Sequence, residues 1–279
     1  MVARVAGPKL GGAVYVLPNL ITTGNLFFGF FSIVNALQGQ MIWAATSILL
    51  ATVFDVLDGR VARLTGGTSE FGVQYDSLCD LVSFGVAPAL LMYQGGLAHY
   101  GRLGWIICFL FLACGALRLA RFNVQSAIGK AAGDFTGLPI PMAAAVVASY
   151  ELASIHLQSK PFSAELLIII GNALTHEDIN VAFFFIAGIG LALAMVSSVT
   201  YRSHKALKII GIKPFKLLVI FVAVVAFIAF QPEIFGFVFF MMYALSGPVE
   251  WLFGGKKTVG EEEIFEIEEE ESESRTSDR

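Results

Sequence analysis

The chain has 279 residues, of which 56% are hydrophobic and 14% charged, with a formal net charge of −4 and a mean hydropathy of +0.74. A soluble domain carries roughly 45–50% apolar and about 25% charged residues, so an ordinary soluble globular domain is excluded. The charge is also unevenly spread, because residues 261–279 hold ten carboxylates, which leaves twelve acids against sixteen Lys and Arg in residues 1–260.

In chain order, residues 1–16 form a short N-terminal segment with a weak basic region and no compact apolar stretch ending in a cleavage site, so no cleavable signal is expected. A membrane-crossing helix needs about 20 mostly apolar residues. Eight segments qualify, at approximately 20–38, 41–62, 76–94, 103–121, 140–157, 180–200, 214–230 and 232–252. The last two are divided at Gln231-Pro232, where proline cannot continue the preceding helix. The apolar part of 158–179 is too short to span and reads as an external loop with an interfacial helix. The fold class expected is an all-α integral membrane protein, a polytopic bundle of about eight transmembrane helices. Residues 256–279 read as a disordered acidic tail that solvates.

Orientation follows the placement of Lys and Arg. Sixteen of the 18 fall before helix 1, around the ends of helices 2, 4 and 6, and after helix 8, whereas Arg102 and Lys160 lie on the other side. Both termini are expected to be cytoplasmic. Cys79, Cys108 and Cys114 lack paired metal or redox spacing, and His99, His156, His176 and His204 form no ligand pair. Gly188 and Gly190 make only a GxG fragment within an apolar run, too little for a dinucleotide site.

Against this apolar background four carboxylates stand out. Asp55 and Asp58 lie at i, i+3 near the cytoplasmic end of helix 2, and Asp76 and Asp80 at i, i+4 where helix 3 begins. Each pair therefore shares a helix face. Two antiparallel helices would present four acids at one depth, where each pair of ionised groups about 4 Å apart repels by about 4 kcal/mol even at an effective dielectric of 20. A structural ion pair with Arg63 or Arg118 would account for one such acid. Four in matched pairs point to a site, and oxygen donors without His or Cys select hard divalent cations such as Mg²⁺, Mn²⁺ or Ca²⁺. Gly59 and Ala62 remove side-chain bulk beside Asp58, which suits either close approach of a ligand or tight helix packing.

The run Asp55-x2-Asp58-Gly59-x2-Ala62-Arg63-x8-Gly72-x3-Asp76-x3-Asp80 matches at every fixed position the signature of the CDP-alcohol phosphatidyltransferase family. The segments PNLITTGNLFFGF from Pro18, DSLCDLVSFGVAPA from Asp76, ALRLARFNV from Ala116 and FTGLPIPMAA from Phe135 resemble its phosphatidylserine synthase branch. The resemblance is specific over about residues 15–150. It implies a catalytic core at 17–157, followed by further transmembrane helices at 158–255, with the active site at the cytoplasmic ends of the first four helices. It further implies that Asp55, Asp58, Asp76 and Asp80 hold two divalent ions, Mg²⁺ or Mn²⁺, on the diphosphate of a CDP-linked lipid, and that Asp80 is the general base toward the acceptor hydroxyl.

The substrates so implied are CDP-diacylglycerol and L-serine, with phosphatidylserine and CMP as products. Thr22, Asn25, Gly59, Ala62 and Arg63 are assigned to the nucleotide and lipid diphosphate. Ser83, Arg118 and Arg121 are assigned to serine, a guanidinium being suited to its carboxylate. Helix capping for Thr22, an interhelical bond for Asn25, backbone bonding for Ser83 and snorkelling anchors for the two arginines are the structural alternatives. Pro88 is expected to kink helix 3 and open a gap for the lipid tails. The other functions weighed are a sibling enzyme using glycerol 3-phosphate or an inositol phosphate and, from another class, a cation transporter. Membrane lipids and a second copy of the chain in a homodimer are the partners expected, and nucleic acid is not. The localisation expected is a bacterial inner or cell membrane.

Overall fold

The computed structural model describes residues 13–66, 69–127, 135–159, 177–201 and 231–253. Eight α-helices carry almost all of them: α1 (Ala13–Leu37), α2 (Met41–Thr65), α3 (Glu70–Asp80), α4 (Ala87–Gln94), α5 (Arg102–Ala127), α6 (Ile140–Ser159), α7 (Glu177–Val196) and α8 (Pro232–Phe253). A π-helical turn, Leu81–Val86, joins α3 to α4 without a break, so the two make one 25-residue span from Glu70 to Gln94. Six helical spans among the described residues are long and apolar enough to cross a membrane, and α7 adds a shorter apolar stretch, Asn180–Val196. Their length and composition are those of an integral membrane protein.

Six of the expected spans therefore coincide with long helices. The sixth ends earlier than expected, because Ser197–Val199 leads into a two-residue strand, β2 (Thr200–Tyr201), that pairs antiparallel with β1 (Phe135–Thr136). The seventh expected span, 214–230, lies outside the described residues, as do most of the expected loop at 158–179 and the acidic tail.

Helix is the only open-ended element that satisfies its own backbone in lipid, and the helices carry apolar side chains all round to match. Leu20, Phe27, Phe30, Trp105, Phe109 and Leu117 project outward, where lipid is their natural solvent. Between helices the contacts run through small residues, which let backbones approach. Gly24 of α1 faces the Phe54 ring of α2 so closely that a Cβ there would lie 2.5 Å from it. Gly115 of α5 receives Ile140 of α6, and Gly188 of α7 receives Ile107 of α5. Helix α6 is the central strut, buried continuously from Ala143 to Glu151 and packed against α2, α7 and α8.

Local signals set the ends nearest the polar cluster. Helix α2 stops at Gly66, whose left-handed backbone (φ 64°) lets its N–H bond to Ala62 O, a conformation open to glycine without strain. Ser69 then caps α3 by accepting from Gly72 N at 3.0 Å. A Cβ on Gly72 would press on that Ser69 Oγ at 3.1 Å and on Asn19 Oδ1 at 3.4 Å, which accounts physically for a glycine at this signature position. Pro88 does not break its span. Its missing N–H and its ring would disrupt an α-turn ending on Phe84, and the chain instead widens over Leu81–Val86, with Ala87 N bonding back to Val82 O. Such π-turns are a recognised way of absorbing an irregularity within a helix.

Candidate active site

The expected crowding of carboxylates occurs, with an asymmetry. Asp55 from α2 and Asp76 and Asp80 from α3 each offer an oxygen within 4.8 Å of the others. Asp58, the fourth, stands beside this trio within electrostatic reach of all three and has the Thr22 hydroxyl of α1 as its neighbour. Asp58 and Asp80 are buried, and Asp55 and Asp76 half-buried. Thr22 also donates to Pro18 O at 3.1 Å, so it braces the start of α1 while facing Asp58.

Three acids this close stay ionised together only with compensating positive charge. The guanidinium of Arg118, itself only 8% exposed on α5, acts on Asp80 and Asp55. Its Nε has no hydrogen-bond partner, and neither do the buried Asp58 Oδ2, Asp76 Oδ1 and Asn25 Oδ1. Buried polar atoms in folded proteins are nearly always paired. Four orphans converging on one cluster therefore mark a place for an external polar species. Hard carboxylate oxygens at this separation fit a divalent cation bound by oxygen, and Arg118 adds a donor for an anion alongside it.

The remaining predicted residues sort themselves by environment. Gly59 is half-exposed, and a Cβ placed on it would meet nothing closer than Arg63 Nη2 at 4.0 Å. No helix packs there among the described residues, in contrast with Gly24, so Gly59, Ala62 and the exposed Arg63 present an approachable face next to Asp58. Arg121 donates from Nη1 to Val196 O at 3.0 Å, which ties α5 to the end of α7. Asn25 and Ser83 are wholly buried. Asn25 Nδ2 donates to Asp80 Oδ1 at 2.9 Å, and Ser83 Oγ donates to Asn25 O at 3.0 Å.

Two tyrosines outside the signature reach the same end of the bundle. Tyr243 of α8 is an electrostatic neighbour of Arg118, and its ring lies 5.9 Å from that of Tyr201. Tyr201 is buried, donates to Ala244 O at 3.1 Å and fills the space left by Gly247. Nothing in their sequence spacing connects residues 118, 201 and 243. The one available signal was a Tyr in an otherwise apolar last span, whose hydroxyl needs a partner when buried. On the other flank, Ser77 and Asn123 exchange hydrogen bonds of 3.2 and 2.9 Å between α3 and α5, and Thr23 and Tyr75 join α1 to α3 at 3.0 Å.

The chain is similar to known proteins. The sequence profile described as CDP-alcohol phosphatidyltransferase matches residues 15–176. A Helicobacter pylori protein named CDP-diacylglycerol–serine O-phosphatidyltransferase is 36% identical over 240 residues, 86% of this chain and 92% of the relative. An archaetidylserine synthase of Methanothermobacter thermautotrophicus is 36% identical over 66% of this chain and 69% of its own length. A CDP-diacylglycerol–serine O-phosphatidyltransferase of Methanocaldococcus jannaschii is 38% identical over 59% of this chain and 79% of its own.

Proposed function

Because the chain belongs to the CDP-alcohol phosphatidyltransferase family, we propose that it transfers the phosphatidyl group of CDP-diacylglycerol to the hydroxyl of L-serine, giving phosphatidylserine and CMP. The observation that carries this reading is the convergence of Asp55, Asp76 and Asp80 within 4.8 Å beside the unpartnered oxygen of Asp58. That donor set suits a diphosphate-binding divalent centre, with two ions, Mg²⁺ or Mn²⁺, held among the four aspartates. When bound, the ions neutralise the diphosphate and polarise the phosphorus under attack.

The protein's own groups supply the rest. Asp80 accepts the proton of the serine hydroxyl as its oxygen bonds to the phosphatidyl phosphorus, and the bond from that phosphorus to the bridging oxygen breaks, leaving that oxygen on CMP. Thr22, Gly59, Ala62 and Arg63 line the nucleotide side, where the open space over Gly59 admits the nucleotide and Arg63 offers a forked donor to phosphate oxygens. Arg118, whose Nε has no hydrogen-bond partner and whose charge acts on Asp80 and Asp55, receives the serine carboxylate, and Arg121 holds the α5–α7 corner beside it. Burial of the acids at one end of the bundle also favours an enzyme over a cation transporter, whose site would lie near the bilayer midplane with polar groups leading to both faces.

The active site and both termini are assigned to the cytoplasmic side of the cell membrane from the distribution of Lys and Arg. Residues 17–157 are the catalytic core, 158–255 a second set of helices, and 1–16 and 256–279 cytoplasmic extensions. A homodimer is the assembly proposed. The deciding experiment measures CMP release from CDP-diacylglycerol by the purified full chain, with L-serine or glycerol 3-phosphate as acceptor, with and without Mg²⁺ or Mn²⁺. Serine-dependent, metal-dependent release that is lost in Asp80→Asn is the expected result. Release with glycerol 3-phosphate alone would move the acceptor to a sibling activity, and metal flux without CMP release would support the transporter.

A further inference from the structure

Asn25 and Ser83 are fully buried beside Asp80, unlike the half-exposed Gly59. Asn25 is fully buried on α1, and its amide donates to Asp80 Oδ1 at 2.9 Å across to α3. Ser83, also fully buried, lies in the π-helical turn that follows Asp80 and donates to the backbone carbonyl of Asn25 at 3.0 Å. Gly29, one turn beyond Asn25, allows this approach, because a Cβ there would overlap Ser83 Oγ, Cα and Cβ.

Residues 80 and 83 are three positions apart and so lie on neighbouring parts of one helix face. Asp80 ends the regular part of the span and Ser83 sits inside the π-turn, and both reach the same residue of α1.

We infer that Asn25 is a positioning residue for Asp80, and that Ser83 and Gly29 hold Asn25 in place. This rests on the transferase reading above and adds to it a device that orients the reacting carboxylate. With Oδ1 engaged by the Asn25 amide, the carboxylate plane of Asp80 is pinned, and its second oxygen is directed by the clasp toward the cluster and the incoming hydroxyl. A carboxylate free to rotate about its last torsion would spend part of its time misdirected, and partners that orient a functional carboxylate are worth about 10–100-fold in activity or metal affinity.

The test uses the purified full chain with CDP-diacylglycerol, L-serine and Mn²⁺, measuring kcat, both KM values and, without substrates, Mn²⁺ affinity by electron paramagnetic resonance. Asn25→Ala should lower kcat at least about 10-fold and weaken Mn²⁺ binding about 10-fold, with both KM values held within about threefold. Ser83→Ala should show the same pattern at smaller amplitude. The double variant should be no worse than Asn25→Ala, because both substitutions remove one chain of contacts. If Asn25→Ala fails to fold, Asn25→Asp keeps the volume, exchanges the donor for an acceptor, and should lose at least as much kcat.

A rise in the CDP-diacylglycerol KM with kcat preserved would make Asn25 a nucleotide contact and overturn the inference. So would a rise in the serine KM alone in Ser83→Ala, multiplicative losses in the double variant, or unchanged Mn²⁺ affinity in Asn25→Ala. Failure of the wild-type chain to release CMP with any acceptor would instead remove the transferase reading itself.

Discussion

Two polar groups of residues are buried toward opposite ends of this apolar bundle, and they are organised differently. Near the far end of α6, Asn180 Oδ1 accepts from both Tyr150 OH at 2.7 Å and Ser154 Oγ at 3.1 Å, and His156 Nδ1 lies 3.6 Å from Glu233 Oε2 of α8. Phe183, Phe184 and Phe237 pack around Tyr150, while His156 Nε2 and Glu233 Oε2 at the edge of this group have no hydrogen-bond partner. At the other end Asp55, Asp76 and Asp80 face one another, and the orphaned atoms belong to both acids and the neighbouring Arg118. The Tyr150–Asn180 group closes on itself and ties three helices together. The aspartate group differs in its charge: three acids converge within 4.8 Å, which calls for a cation from outside the chain, whereas around Tyr150 and Asn180 hydroxyl donors meet an amide oxygen.

The sharpest way to break this comparison is to alter the charged groups of the aspartate cluster. Asp80→Asn should lower kcat by about 10²–10⁴-fold, the range for loss of a general base, with the protein still folded; retention of more than a tenth of serine-dependent CMP release would rule out Asp80 as the base. Arg118→Lys keeps the charge but not the fork. It should raise the serine KM by about 10-fold, equivalent to about 1.4 kcal/mol, while leaving the CDP-diacylglycerol KM within about threefold, as read from initial rates at varied serine.

A pair of glycines sharpens the distinction between ligand face and packing face. Gly24→Ala should cost about 1–3 kcal/mol through overlap with Phe54, seen as a lower unfolding temperature in detergent. Gly59→Ala has room for its methyl group and should hold or raise stability by up to about 1 kcal/mol while raising the CDP-diacylglycerol KM. Equal destabilisation by the two substitutions would show that Gly59 serves packing after all. The smallest effect is expected at the Tyr150–Asn180 group: Tyr150→Phe keeps the ring and loses one bond, for about 0.5–1 kcal/mol of stability, with serine turnover unchanged.

The site was legible in the sequence to the extent that its chemistry is periodic. Asp55 with Asp58, and Asp76 with Asp80, could be assigned to common helix faces from spacing alone, and hard-metal chemistry followed from the absence of His and Cys. Gly59 was ambiguous between ligand approach and packing, because both demand the same small residue; only the neighbours distinguish them. Asn25 and Ser83 were assigned from the sequence to nucleotide and serine contacts, and only the structure shows Asn25 bonded to Asp80 and Ser83 to the Asn25 backbone. Tyr243 was not anticipated, since it reaches Arg118 from a helix 125 positions along the chain. The π-turn before Pro88 was likewise beyond a reading that treats a proline only as a kink.

By itself the sequence determined that the chain is a bundle of apolar helices with acids paired on the faces of two of them, because hydropathy and a 3.6-residue period act within a single segment. Tertiary structure decided which three of the four acids converge, which glycines meet another helix, and that Asp80 is held by Asn25. Those outcomes depend on how far one helix is rotated and slid against another. That is set by interlocking side chains such as Gly24 with Phe54 and Gly29 with Ser83, and no spacing along one strand of sequence encodes it.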